Sequence, residues 1–301
     1  MILVTGGTGF IGGELIKQLV ALGQPFRLLI QPSKKPPTLP MGVNLDVAVS
    51  SLTDERGIKA ALQDVDVIYH LSGVEQTASF VDLQQVEVAG VDSLTRAAKQ
   101  TKVERFFYLS HLGADRASAF QLMKAKGIAE YIIKNSGLNY TIIRSSMIYG
   151  RGDIFTQNLA KLIKISPGVV AIPGDGSVLL QPIWVEDLTT CLVWALDLPD
   201  TENNIIEIGG PEHLSFKDIL QMIAGVTGKK RNFVEFNPVR LGTLIQVMET
   251  LVKNFPSSPF WMDYLAENRI CALDSIPRTF GLNPSRFHQK LDYLISGKST
   301  T

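Results

Sequence analysis

Residues 1–13 read MILVTGGTGFIGG. An apolar strand from Met1 to Val4 runs through Thr5 into the glycine series Gly6, Gly9 and Gly12, and a helical repeat comes next. Strand, glycine turn and helix in that order build a cradle for the pyrophosphate of a dinucleotide. Gly6 permits the tight turn, Gly9 has no side chain to block the phosphates, and Gly12 lets the helix pack close to the sheet. The helix start adds free N–H groups and a positive dipole end for the anion. Candidate cofactor-binding residues here are Thr5, Gly6, Gly7, Thr8, Gly9, Phe10, Ile11 and Gly12. A glycine-rich turn that serves packing alone is the competing reading, and the complete strand–turn–helix order disfavours it.

Working outward, helix and strand patterns alternate through the first half. Phe10 to Leu22 presents Ile11, Leu15 and Leu19 on one helical face. Strands are expected at Arg27 to Ile30, Val43 to Val49, Val65 to Leu71, Arg105 to Ser110 and Tyr140 to Arg144. Helices are expected at Asp54 to Leu62, Phe80 to Gln100 and Phe120 to Asn135. Repeated βα units imply an α/β fold, a doubly wound parallel sheet of the Rossmann type. After Met147 the texture changes, with Pro-Gly and Gly-Asp turns at 150–153, 167–168 and 173–176. Residues 1–146 therefore read as the dinucleotide-binding domain, and 147–301 as a smaller, mainly helical C-terminal lobe. In that lobe helices are expected at Ser215 to Val226 and Leu241 to Val252. Strand-like pieces near 179–184 and 205–208 are candidates to return to the sheet.

Composition excludes several classes. With 301 residues, 45% hydrophobic and 19% charged, the chain is long and apolar enough for a large core. Lys plus Arg and Asp plus Glu both number 29, so no charge excess recruits nucleic acid or an anionic membrane. No apolar run approaches the ~20 residues of a membrane span. The two cysteines, Cys191 and Cys271, sit in no motif, and no His or Cys spacing suggests a metal site. A secretory signal is not expected, and a cytoplasmic location is.

The residues after the second strand narrow the choice of cofactor. An acid about 20 residues after the glycines would bind the ribose hydroxyls of NAD. No acid lies between Glu14 and Asp46, and the strand leads into Gln31-Pro32-Ser33-Lys34-Lys35. Gln31, Ser33, Lys34 and Lys35 can hold a 2′-phosphate, which favours NADP(H) over NAD(H). Leu71, Ser72 and Gly73, after the fourth strand, and Ser110, at the end of the fifth, complete the candidate cofactor-binding set.

The glycines recur at i, i+3 and i+6, and further carriers are Val103 to Ser110, Lys126 to Glu130, Asn139 to Arg144, Gln181 to Asp187 and Gly209 to Glu212. Over most of its length the chain resembles the short-chain dehydrogenase/reductase superfamily. The resemblance is to its atypical, extended-like branch, the group of NmrA-like proteins and relatives of the nucleotide-binding accessory subunit of respiratory complex I. In that superfamily catalysis rests on a Tyr-x-x-x-Lys pair with a Ser and often an Asn. The Lys lowers the Tyr pKa so that Tyr exchanges a proton with substrate as hydride moves. None of the seven tyrosines here has a Lys four residues later. By the resemblance Lys126 takes the lysine position, Leu122 the tyrosine position, Leu112 the serine position and Glu87 that of the asparagine. Placing the pair at Lys124 instead puts Phe120 at the tyrosine position.

Lys126 is the candidate catalytic and ribose-contacting residue; as a bystander it would be an exposed lysine paired i,i+4 with Glu130. His111, after the fifth strand, is the candidate substitute acid, and a structural or solvated histidine is the alternative. Arg144 reads as a member of a buried pair, and Glu186-Asp187 as the favourable start of a helix. Two functions are open. One is an NAD(P)H-dependent reductase of a small organic substrate, lacking the tyrosine. The other is a non-catalytic nucleotide-binding protein serving as redox sensor or as an assembly or accessory subunit of partner proteins. Nucleotide-sugar epimerase or dehydratase chemistry is disfavoured, since it too needs the tyrosine.

Overall fold

A computed structural model describes residues 1–33, 45–73, 80–253, 255–258 and 260–295. The chain divides into two compact units, one formed by Met1–Ser145 with Glu186–Ile208, the other by Ser146–Val185 with Gly209–Thr301.

The first unit is built on a seven-stranded sheet. In chain order its elements are β1 (Ile2–Thr5), α1 (Phe10–Ala21), β2 (Phe26–Ile30), β3 (Asp46–Val49), α2 (Glu55–Ala61) and β4 (Val67–His70). Then come α3 (Phe80–Leu83), a π-helical turn at Gln84–Ala89, α4 (Gly90–Gln100), β5 (Arg105–His111), α5 (Gln121–Asn135) and β6 (Tyr140–Ser145). The strand Asn204–Ile208 pairs with β6 and completes a spatial order of Asn204–Ile208, β6, β5, β4, β1, β2, β3. Every pairing in this sheet is parallel. Strand order reverses between β1 and β4, and the crevice at the carboxyl ends of those two strands is where α/β sheets bind ligands.

Burial explains why these segments are strands. All seven side chains of β5 are buried, as in a strand covered by helices on both faces. On one face Ile58, Leu94, Ala98 and Ile133 from α2, α4 and α5 close over Leu3, Ile68, Phe106 and Ile142. Helix α2 begins where the Asp54 side chain accepts hydrogen bonds from the Arg56 and Gly57 N–H groups. Arg27, on β2, forms an ion pair with Asp46, on β3, at 2.8 Å, and the register of Arg27 with Asp46 places both at the amino ends of their strands.

Among the described residues the second unit has three small sheets. Ile148–Tyr149 pairs parallel with Ile183–Trp184, Leu179–Leu180 antiparallel with Leu214–Ser215, and Val169–Pro173 parallel with Asn232–Phe236. The strand expected near 179–184 is thus two short strands of these small sheets, whereas 204–208 does join the seven-stranded one. Pro182, with no N–H to donate, interrupts the run. The Gln181 side chain turns inward, donating to the Gly210 carbonyl at 2.7 Å and accepting from the Cys271 N–H at 2.7 Å. A Cβ on Gly210 would lie 1.8 Å from the Pro182 carbonyl oxygen, so the Gln181-Pro182 and Gly209-Gly210 segments lock together only because glycine is there. Helix Phe216–Val226 starts with a capping box between Ser215 and Asp218. Asp153 is buried and satisfied by the Gly150 and Thr156 N–H groups, the Thr156 hydroxyl and the Tyr293 hydroxyl. Burial raises its pKa, and those hydrogen bonds oppose the rise.

Candidate functional site

The glycine turn lies at the carboxyl end of β1. Gly6 has φ of 72°, a left-handed conformation that glycine adopts without cost. A Cβ there would also lie 2.7 Å from the backbone of Leu71 and Ser72, so Gly6 lets the turn pass directly against the segment after β4. Gly12 proves to pack against the turn itself: a Cβ would sit 2.2 Å from the Gly6 carbonyl oxygen. Gly9 is the N-cap of α1, and among the described residues no side chain caps the helix there. Among the described residues a Cβ on Gly9 would meet just the Gly6 oxygen, at 3.3 Å, which leaves its outer side open. An exposed lip of Thr8 and Gly9, an uncapped helix start and an open outer side fit a dinucleotide pyrophosphate.

Thr5 is wholly buried and anchors the turn from behind, its hydroxyl 2.7 Å from Nδ1 of His70 at the end of β4. His70 stacks on Tyr108, and Nε2 of the imidazole is buried with no hydrogen-bond partner among the described residues. Burial, helped by the Lys126 charge, lowers its pKa to about 3, so the ring is neutral. Phe10 and Ile11 are half-buried. Leu71 and Ser72 are half-buried and Gly73 exposed beside the turn. Gln31 and Ser33 are exposed after β2, whereas Lys34 and Lys35 lie outside the described residues. Asp46, the first acid after Glu14, is held by Arg27 at the opposite end of the strands. Ser50 and Leu52 are buried, and the Ser50 N–H donates to the Ile30 carbonyl.

At the ends of β4 and β5 the chemistry-bearing side chains pair with one another. Lys126 is 2% exposed, its ammonium 2.9 Å from the fully buried Glu87 carboxylate and 3.2 Å from the Leu109 carbonyl. It also stands 5.0 Å from the centre of the Tyr108 ring, whose hydroxyl donates to Glu87 at 3.3 Å. The exposed Lys126–Glu130 pair does not form. Glu130 is buried and accepts from two of the three Arg144 guanidinium nitrogens, at 2.6 and 2.9 Å, together with the Ser110 hydroxyl at 2.5 Å. The hydrogen bond to Glu130 is the main cause of the raised Arg144 pKa. His111 is the last residue of β5 rather than the residue after it, and is 8% exposed. Leu122 and Leu112 are buried apolar side chains.

Two participants are hard to see in the chain alone. Glu87 stands out there just as the asparagine position, although a lone acid among Val86, Val88 and Val91 signals a buried partner cation. His70 ends an apolar strand, the same kind of signal. The π-helical turn Gln84–Ala89, which carries Glu87, has no counterpart in a 3.6-residue repeat.

A parallel sheet with a glycine turn at its switch point defines a Rossmann-type dinucleotide-binding protein. Residues 6–158 match the NAD(P)H-binding family, and the chain belongs to that family. It is 27% identical to the NAD(P)H azoreductase of Xenophilus azovorans, over 95% of this chain and 94% of the relative. It is likewise 27% identical to NADH dehydrogenase (ubiquinone) 1 alpha subcomplex subunit 9, mitochondrial, of Mus musculus, over 91% of this chain and 72% of the relative. Among solved structures, the UDP-glucose 4-epimerase of Thermotoga maritima superposes with a TM-score of 0.72 at 18% identity, covering 98% of this chain and 97% of that one. That last likeness is one of fold. Among the described residues no helix is long and apolar enough to cross a membrane.

Proposed function

We propose that the chain is an NADPH-dependent reductase whose acceptor takes its proton from water and not from a protein side chain. One observation carries the reading: Lys126, at the family's lysine position, is buried against Glu87, and the residue one turn before it is Leu122. No tyrosine is there to hand over a proton, and the lysine charge that would acidify one is already matched. A ketone or aldehyde reduced in such a site would become a localised alkoxide with leucine, not tyrosine, one turn before Lys126. A quinone or azo acceptor spreads the incoming charge over an aromatic system and is protonated by solvent. The likeness to the azoreductase, which runs over nearly the whole of both chains, supports this class of acceptor.

Bound NADPH supplies the hydride. The chain's own contribution is to hold the pyrophosphate at Gly6 to Gly12, with Thr5 and His70 fixing the turn. The preference for NADPH rests on the missing acid after β2 and on Gln31, Ser33, Lys34 and Lys35.

Oxidation of NADPH by the purified chain, followed with ketones, aldehydes, quinones and azo dyes in turn, tests the proposal. Turnover on quinones or azo dyes with none on carbonyls is expected. Carbonyl turnover would overturn it. Tight nucleotide binding without turnover on any class would assign the chain instead to nucleotide-holding proteins, a reading that the sealed Glu87–Lys126 pair also favours.

A further inference from the structure

The second unit contains a cavity of about 270 Å³ that the dinucleotide site does not account for. Phe155, Phe216 and Trp261 form its aromatic wall, with Phe155 and Trp261 ring centres 4.3 Å apart. The strand Val169–Pro173 and the helix Pro238–Leu251 supply aliphatic sides. Met248 and Met262 also line it, and their unbranched thioethers adapt to the shape of an occupant. No lining side chain is charged among the described residues, and just three are polar: Asn158, Ser166 and Ser257. An anion, a nucleotide or a sugar would lose its hydration here without replacement. Apolar residues continue to the outside, where Val169 is 53% and Leu244 49% exposed.

We propose that this cavity binds a medium-length hydrocarbon chain, acyl or isoprenyl, bearing one neutral polar head. At roughly 30 Å³ for a water-sized group, the space holds about nine such groups, which matches a chain near ten carbons. Ser166 already donates its hydroxyl to the Leu162 carbonyl at 2.6 Å, so Asn158 and Ser257 are the side chains that meet a single hydroxyl or ester head, and they suit no charged one. The exposed apolar rim suits an occupant arriving from an apolar phase. This site is independent of the nucleotide reading and stands or falls separately from it.

Calorimetric titration of the full chain with a series of linear alcohols, from hexanol to hexadecanol, tests it. Each added methylene is expected to raise affinity up to roughly fourfold, with the gain levelling near decanol, where the cavity is full. Met248→Trp, at a half-buried lining position, is expected to weaken decanol binding at least about tenfold while leaving NADPH affinity unchanged. Met248→Ala is expected to move the plateau to a longer alcohol, which keeps the test decisive should the tryptophan variant not fold. Absence of saturable binding across the series, or decanol affinity indifferent to both substitutions, would overturn the proposal. So would self-association of the chain that Met248→Trp abolishes, since a second copy would then be the occupant.

Discussion

The Lys126 ammonium lies 2.9 Å from the Glu87 carboxylate, and both side chains are buried. Two helical segments, α5 and the π-helical turn before α4, are therefore joined by charge. Removing one partner leaves the other as a buried, uncompensated charge, which costs far more than removing both.

Lys126→Met is expected to destabilise the fold by about 3–5 kcal/mol, and the double variant Lys126→Met with Glu87→Gln to recover most of that loss. Urea unfolding of the two single variants, the double variant and the parent chain measures it. Equal losses that simply add would show that the two groups do not interact.

Arg144 grips Glu130 with two nitrogens, at 2.6 and 2.9 Å. Lysine keeps the charge but not the fork, so Arg144→Lys is expected to lower stability by about 1–2 kcal/mol. A melting temperature unchanged from the parent would contradict the two-point contact.

His70 gives the chain a pH dependence with a definite sign. Its folded pKa is about 3, below the ordinary histidine value of 6.5. Below pH 6.5 the unfolded chain therefore takes up a proton that the folded chain does not, so stability falls as pH drops toward the folded pKa and is fully present above 6.5. The folding equilibrium is expected to weaken by up to about tenfold per pH unit below 6 from this group. Denaturation at pH 7 and pH 5 measures the slope, and His70→Phe should flatten it. An identical slope in that variant would assign the effect to other groups.

The missing acid after β2 predicts how the nucleotide preference can be moved. Gln31→Asp places a carboxylate near the ribose, where it repels a 2′-phosphate and accepts hydrogen bonds from free hydroxyls. NADPH affinity is expected to fall at least about tenfold and NADH affinity to rise. Lys34→Ala with Lys35→Ala should weaken NADPH alone. Titrations with both nucleotides check this, and parallel changes for the two would refute the assigned corner.

Much of the first unit was legible because buried parallel strands leave continuous apolar runs. Val67–His70 and Arg105–His111 both carry that signature, and Asp54 announces the start of α2. The glycine turn was legible because close backbone approach admits few residue types; Gly6 and Gly12 sit where a Cβ collides with main chain. What the chain conceals is pairing across distance. Helical spacing offers Glu130 as the partner of Lys126, yet Glu130 is taken by Arg144, and the true partner lies 39 positions earlier on a π-helical turn. Gln181 similarly looks like part of one strand until its amide is seen bonding Gly210 and Cys271.

Gly9→Val tests most directly whether the Gly6 to Gly12 turn holds the dinucleotide. Gly9 has a negative φ, of −82°, and among the described residues a Cβ there meets just one atom, at 3.3 Å, so the variant should fold. Its branched side chain would occupy the space over the uncapped helix start. Calorimetric titration with NADPH should show binding to the parent chain and a loss of at least about tenfold, or complete loss, in the variant, with unchanged circular dichroism. A folded Gly9→Val chain that binds NADPH as tightly as the parent would contradict dinucleotide binding at this turn.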